Sequence, residues 1–233
     1  MERVPNLQFG GDMSENKMPK VVRCPEPFAP LFVEAERIMS GFFADLQRDP
    51  EKGQISVSGE RYLLMRAESI SFELHDELRK TFGDAGARQI RYKLARALGI
   101  RDARMFHKRL QIEDPDMKLA LGPVHFAYVG WAFVDIFPES HPTTDENYFL
   151  AYSHPSSFEA DAYIEQGKTS KHPTCYMNAG YSSGWCEISY NVELKAEEIT
   201  CRGMGHEQCI FVMAPPKSLD AYVRQYRERY HVS

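Results

Sequence analysis

Apolar residues recur at helical spacing through the first half of the chain and alternate along short runs in the second. Residues 27–46, PFAPLFVEAERIMSGFFADL, have the 3.6-residue period of an amphipathic helix, with Pro30 in its first turn. Residues 54–57 predict a short strand and Ser58–Gly59 a turn. Residues 61–65 then return as the second strand of a hairpin. Residues 67–82 predict a helix with Ile70, Leu74, Leu78 and Phe82 on one stripe, closed by Gly83. Asp84 is placed to cap a helix over 85–98 that Gly99 stops, and a third helix covers 102–111. IEDPDMKLALGP, residues 112–123, reads as a further short helix and a turn.

After Gly122–Pro123 comes VHFAYVGWAFVDIF, an aromatic-rich alternating run that predicts a strand. Residues 148–152 and 157–163 predict two more strands, and the polar loop PESHPTTDEN lies before them. A helix is expected over 173–187, then strands over roughly 190–200 and 208–213. Ser218 is placed to cap a closing helix. The fold class is therefore α+β, an antiparallel sheet packed by helices. Four regions follow. Residues 1–49 form an arm (1–24, polar and loose) and a helix, and are a candidate dimerisation segment. Residues 50–121 form a mainly helical first subdomain. Residues 122–215 carry the site-bearing subdomain, and 216–233 the C-terminal helix.

Composition narrows the function. The chain has 233 residues, 43% hydrophobic and 26% charged, enough to bury a core. Its net charge of -5 lacks the basic footprint of a domain that grips nucleic acid, so no nucleic-acid contact is expected. No run reaches the roughly 18 apolar residues of a membrane span, and the N-terminal residues lack the apolar segment of a signal peptide. Five cysteines, an odd number and unevenly spread, suit a reducing compartment, so a cytoplasmic location is expected.

Three of those cysteines bracket one stretch, CYMNAGYSSGWCEISYNVELKAEEITCRGMGHEQC, from Cys175 to Cys201 and Cys209. Glu198 lies three residues before Cys201. Thiolates with a carboxylate or imidazole are zinc ligands, and four protein ligands make a closed, structural site. RGMGHEQ supplies the two glycines that a tight turn between Cys201 and Cys209 needs. The reading is one zinc on Cys175, Glu198, Cys201 and Cys209, with His206 as the rival fourth ligand. Three ordinary buried thiols are the alternative.

The same stretch resembles the zinc-containing, vinyl-reductase-like domain that ends the sensor module of the phenol- and xylene-responsive activators of aromatic catabolism. The resemblance rests on Cys175, Gly180, Tyr181, Glu198, Cys201, Arg202, Gly203, Gly205 and Cys209, which match that family's pattern without gaps. It extends less specifically over residues 50–215. It implies zinc on the Cys, Glu, Cys and Cys at these places, a homodimer formed through the first subdomain and N-terminal segment, and an apolar pocket beside the metal that takes an aromatic ligand. Candidate lining residues are Phe126, Tyr128, Trp131, Tyr152, His154, Tyr176, Tyr181 and Trp185; ordinary core packing is the alternative for each ring. Phenol-sensing members place a histidine after the Gly-Pro and a tryptophan before a Ser-Phe-Glu. Here Phe126 is the strict counterpart of the first, with His125 one place early, and His154 stands before Ser157–Phe158–Glu159 in place of the second. A different and more polar ligand is the implication.

Two functions follow, beside the plainer option of a scaffold or small-molecule carrier. One is a stand-alone sensor or ligand-binding protein for a small aromatic compound. The other is a freestanding enzyme, a non-redox lyase, isomerase or hydrolase, with His125, His154 and Glu159 as acid–base groups. No G-x-x-x-x-G-K-[ST] phosphate loop is present.

Overall fold

The computed structural model describes residues 18–232. In chain order the elements are β1 (Val22–Arg23), α1 (Ala29–Ala44), β2 (Leu46–Asp49), β3 (Gln54–Val57), β4 (Glu60–Tyr62), α2 (Leu74–Leu110), α3 (Pro115–Tyr128), β5 (Ala132–Ile136), β6 (Leu150–Ser157), α4 (Phe158–Glu165), α5 (Tyr176–Tyr190), β7 (Lys195–Thr200), β8 (Cys209–Ala214) and α6 (Pro216–Arg229). The α+β expectation holds. The main sheet has the order β1-β5-β6-β8-β7, antiparallel throughout except that β1 runs parallel to β5. A small β2-β3-β4 meander stands apart from it.

Alternation along the strands decides what each face of the main sheet meets. Phe149, Ala151, Ile210, Val212 and Ala214 face α6, against Leu219, Val223 and Tyr226. Leu150, Tyr152, Cys209, Phe211 and Met213 face the other way, into the core built with α3 and α5. Phe32 and Met39 of α1 are fully buried in that same core, each such side chain stabilising the fold by about 1.5–3 kcal/mol.

The hairpin turn predicted at Ser58–Gly59 is present, with φ of 48° and 81°, the twist that joins two strands without splaying them. Gly83 breaks the helical path as expected, at φ 69°. Asp84 does not act as the predicted cap; its carboxylate pairs with Arg88. Gly99 does not stop a helix either. The helix continues to Leu110, and Gly99 is there for contact: a Cβ would sit 2.2 Å from the Tyr181 carbonyl oxygen on α5. Gly180 and Gly184 of α5 meet the Tyr92 and Arg96 carbonyls of α2 at the same 2.2 Å. These three glycines bring the two backbones into direct contact.

Other expectations need correction. The run after Gly122–Pro123 is not a strand at its start. Residues 122–128 finish α3, and the strand begins only at Ala132. Asp114 caps α3 by accepting from the Met117 N–H, and Pro123 lies inside it. Burial of nearly every α3 side chain from Leu119 to Phe126 hid the helical period and outweighs the hydrogen bond that a proline removes. Residues 158–163, expected as a strand, form α4, and Ser157 ends β6. Ser218 lies within α6 rather than at its cap, its hydroxyl donating to the Pro215 carbonyl. Of the arm over 1–24, residues 1–17 lie outside the described residues. Val22 and Arg23 are not loose: they pair with Val134 and Asp135. Phe82, at the end of the expected stripe, is 57% exposed.

Candidate functional site

Cys175, Glu198, Cys201 and Cys209 converge. Their ligand atoms all lie within 4.8 Å of one another and all four residues are buried. Cys175 stands at the N-terminal cap of α5, Glu198 is on β7, Cys201 directly follows that strand, and Cys209 opens β8. A short helical turn over Arg202–Met204 swings the chain from one thiol to the next. Gly203 is needed because a Cβ would press on the Thr174 side chain at 2.8 Å, and Gly205 takes φ 93°.

The cluster is wired by polar contacts. The Thr174 N–H lies 3.3 Å from Cys201 Sγ, and the Arg202 N–H lies 3.3 Å from Cys209 Sγ. The Cys175 N–H donates to Glu198 Oε2 at 2.9 Å. Glu198 Oε1 is buried and has no partner. Burial, then the nearby Cys201 charge, pushes the Glu198 carboxyl up; burial pushes the Cys175 thiol up as well. Hydrogen bonds from Cys175 and Cys209 favour the Cys201 thiolate. Four acid groups in one dry pocket do not ionise together unless a cation joins them. The unpaired Glu198 oxygen and three close sulfurs fit a divalent metal. Cys175 and Cys209 Sγ are 3.7 Å apart, well beyond a disulfide bond, and all five cysteines are free thiols. His206 lies outside the cluster: its Nδ1 accepts from the Cys201 N–H at 3.2 Å, and Glu198 is the fourth member of the set that could hold a metal.

From Cys175, α5 runs on to a second feature. A small cavity lies between α3, α5 and the sheet, lined by Leu119, Gly122, Pro123, Phe126, Val134, Ile136, Leu150, Tyr152, Tyr181, Ser182, Trp185 and Cys186. Of the expected pocket rings, Phe126, Tyr152, Tyr181 and Trp185 are there. Gly122 lets the Trp185 indole lie against α3, where a Cβ would meet it at 2.8 Å, and the indole N–H donates to the Lys118 carbonyl at 2.8 Å. Cys186, Ser182 and the aliphatic lining escaped the sequence reading; the three-to-four-residue spacing of Ser182, Trp185 and Cys186 from Tyr181 on one helix was the available signal. The volume is about 30 Å³, against the ~150 Å³ of an engineered cavity that takes up benzene. A ring enters only if the side chains give way.

Three of the expected rings lie elsewhere. Tyr128 stacks on Phe43 at 5.1 Å. Trp131 lines an open groove with Asp102, Phe158 and Met177. Its ring is 5.0 Å from Tyr181 and 5.5 Å from Phe126, so these three rings stand between groove and cavity. Tyr176 lies beside the Arg88 and Arg91 charges, which oppose the burial that raises its pKa.

The candidate acid–base groups do not converge. His125 packs between Phe106, Tyr181 and Trp185. Its Nδ1 is 3.0 Å from the Tyr181 hydroxyl, which donates to Asp102 at 2.7 Å. Burial holds the His125 pKa down at about 3. His154 is on β6, with Phe126, Tyr152 and Phe211 around its ring. Glu159 is fully buried and occupied. It pairs with Arg91 at 2.5 Å and accepts from the Met177 and Asn178 N–H groups at the start of α5. That arrangement anchors a helix and leaves Glu159 no access to a reactant.

Residues 42–138 match the family described as activator of aromatic catabolism, and residues 156–215 match the V4R domain. Over these two stretches the chain is similar to such activators. It is 27% identical over 169 residues to the phenol regulator MopR of Acinetobacter guillouiae, covering 72% of this chain and 30% of that protein. To the transcriptional regulatory protein XylR of Pseudomonas putida it is 24% identical over 162 residues, covering 69% of this chain and 28% of that protein. The chain thus matches less than a third of the length of either relative. In fold it is similar to the crystal structure of the phenol-responsive sensory domain of the transcription activator PoxR with phenol. The TM-score is 0.68 at 23% identity, covering 84% of this chain and 96% of that one. No helix among the described residues is long and apolar enough to cross a membrane.

Proposed function

We propose that this chain is an aromatic-compound sensor domain that binds its effector in the apolar cavity beside a structural zinc site. The observation that carries the reading is the shared helix: α5 begins at a metal-type cluster and lines the cavity with Tyr181 and Trp185 four residues apart. Zinc is favoured by chemistry. With Zn–S bonds of about 2.3 Å, tetrahedral ligands put sulfurs about 3.8 Å apart, close to the 3.7 Å between Cys175 and Cys209. Cys175, Glu198, Cys201 and Cys209 would fill all four positions, so the metal would supply folding energy rather than an open coordination site. The protein side excludes water from the cavity and orients the rings that meet an aromatic guest.

Five free thiols support a reducing, cytoplasmic setting. A homodimer is supported by the exposure of Leu63, Leu64 and Met65, 75%, 74% and 61%, an apolar run that a second copy would cover. Elemental analysis together with calorimetric titration of phenolic compounds tests the main reading. One zinc per chain and saturable binding without turnover are expected; a folded, metal-free protein, or one that binds no aromatic compound, refutes it.

A further inference from the structure

Leu150, Tyr152 and His154 form one row on β6, because alternate strand residues share a face. Leu150 and Tyr152 line the cavity. His154 continues the row, its ring 5.3 Å from Tyr152 and 6.1 Å from Phe126. Across the sheet it pairs with Cys209, so it stands between cavity and metal-type cluster. It is 0% exposed. Neither of its ring nitrogens has a partner, and the Tyr152 hydroxyl, beside Ser182, closes no hydrogen bond either. Buried polar atoms are ordinarily paired, and unpaired ones are expensive. A phenylalanine at either place would fill the space without that cost. Three such atoms on one row call for a polar guest.

We propose that Tyr152 and His154 select an uncharged aromatic compound carrying two hydrogen-bonding groups, such as a dihydroxybenzene, over aromatic hydrocarbons and aromatic carboxylates. The proposal rests on the cavity being the ligand site. An uncharged imidazole offers one donor and one acceptor, and a phenolic hydroxyl can answer either. The Tyr152 hydroxyl can take the second group in the same way. A carboxylate is excluded because none of the residues lining the cavity is cationic, and a buried anion without a counter-charge is strongly disfavoured. A hydrocarbon would leave all three polar atoms unpaired.

The test is calorimetric titration of the full, metal-loaded chain with hydroquinone, catechol, phenol, toluene and benzoate. The dihydroxybenzenes should bind about tenfold more tightly than phenol, as one net hydrogen bond implies, and more tightly still than toluene, and benzoate should not bind. His154→Phe should abolish that preference while melting at the same or a higher temperature without ligand, since it removes an unpaired buried group. Should that variant not fold, Tyr152→Phe carries the same test. Equal binding of phenol, toluene or benzoate, or a variant that keeps the preference, overturns the proposal while leaving an aromatic site in place. A folded parent that binds none of the five compounds removes the aromatic site itself, and the selectivity with it.

Discussion

The metal-type cluster and the cavity share one helix and one face of one sheet, yet they are built on opposite terms. In the cluster the polar groups converge on one point: backbone N–H groups point at two sulfurs and a third holds one Glu198 oxygen, which leaves the other Glu198 oxygen buried without a partner. Around the cavity Tyr181 and Trp185 are paired, but more groups are unmet. The Tyr152 hydroxyl and both His154 nitrogens are buried without partners, and the space is too small for a ring. A region whose polar groups converge on one point sits in one arrangement, whereas one with scattered unmet groups is ready to rearrange around a guest. The difference separates what fixes the fold from what responds.

The comparison breaks most completely at the cluster. Cys201→Ser or exhaustive chelation should release the metal and abolish the cooperative melt of the second half, followed by elemental analysis and circular dichroism. Structural zinc sites in small domains contribute on the order of 10 kcal/mol. Next comes the α2–α5 contact. Gly184→Ala should cost about 3 kcal/mol, the upper range for overpacking, because its Cβ would lie 2.2 Å from the Arg96 carbonyl oxygen; urea unfolding measures it. Gly41→Ala, on α1, has nothing within 4 Å of the added Cβ and controls for mere loss of glycine.

A smaller effect depends on pH. His125 has a folded pKa of about 3, lowered by burial from an ordinary 6.5. Its neutral form therefore favours folding fully above pH 6.5, and that contribution is lost as pH falls toward 3. The parent should lose about 2 kcal/mol more than His125→Phe between pH 7 and pH 5, the size set by 1.36 kcal/mol per pKa unit. Equal acid sensitivity of the two would show that the imidazole charges without unfolding the chain. Of similar size is Tyr181→Phe, which removes the bonds to Asp102 and His125 at about 1 kcal/mol each. It should also loosen the wall between groove and cavity, seen as faster ligand exchange in stopped-flow fluorescence.

The legible parts of the sequence were those where chemistry dictates residue type. Three cysteines and Glu198 could be placed together because few arrangements other than a metal site need that set. The Ser58–Gly59 turn and the Gly83 break were readable because positive φ restricts the choice. Burial on every side erased the rest. α3 presents apolar residues all round, so its period vanishes, and its Gly–Pro looked like an interruption. Gly99 looked like a terminator because nothing local distinguishes a glycine that ends a helix from one that admits a neighbouring backbone. The cavity was half visible: its rings were evident, but the aliphatic wall and the isolation of His125 from His154 depend on helix rotation and strand parity.

The three glycines between α2 and α5 carry a mechanical consequence. With carbonyl oxygens of each helix occupying the room where the other's side chains would stand, the pair has no soft layer to absorb a displacement. A guest that pushes on Trp185 therefore pushes the part of α2 that follows the Gly83 break as well, so a long helical segment moves with the cavity wall.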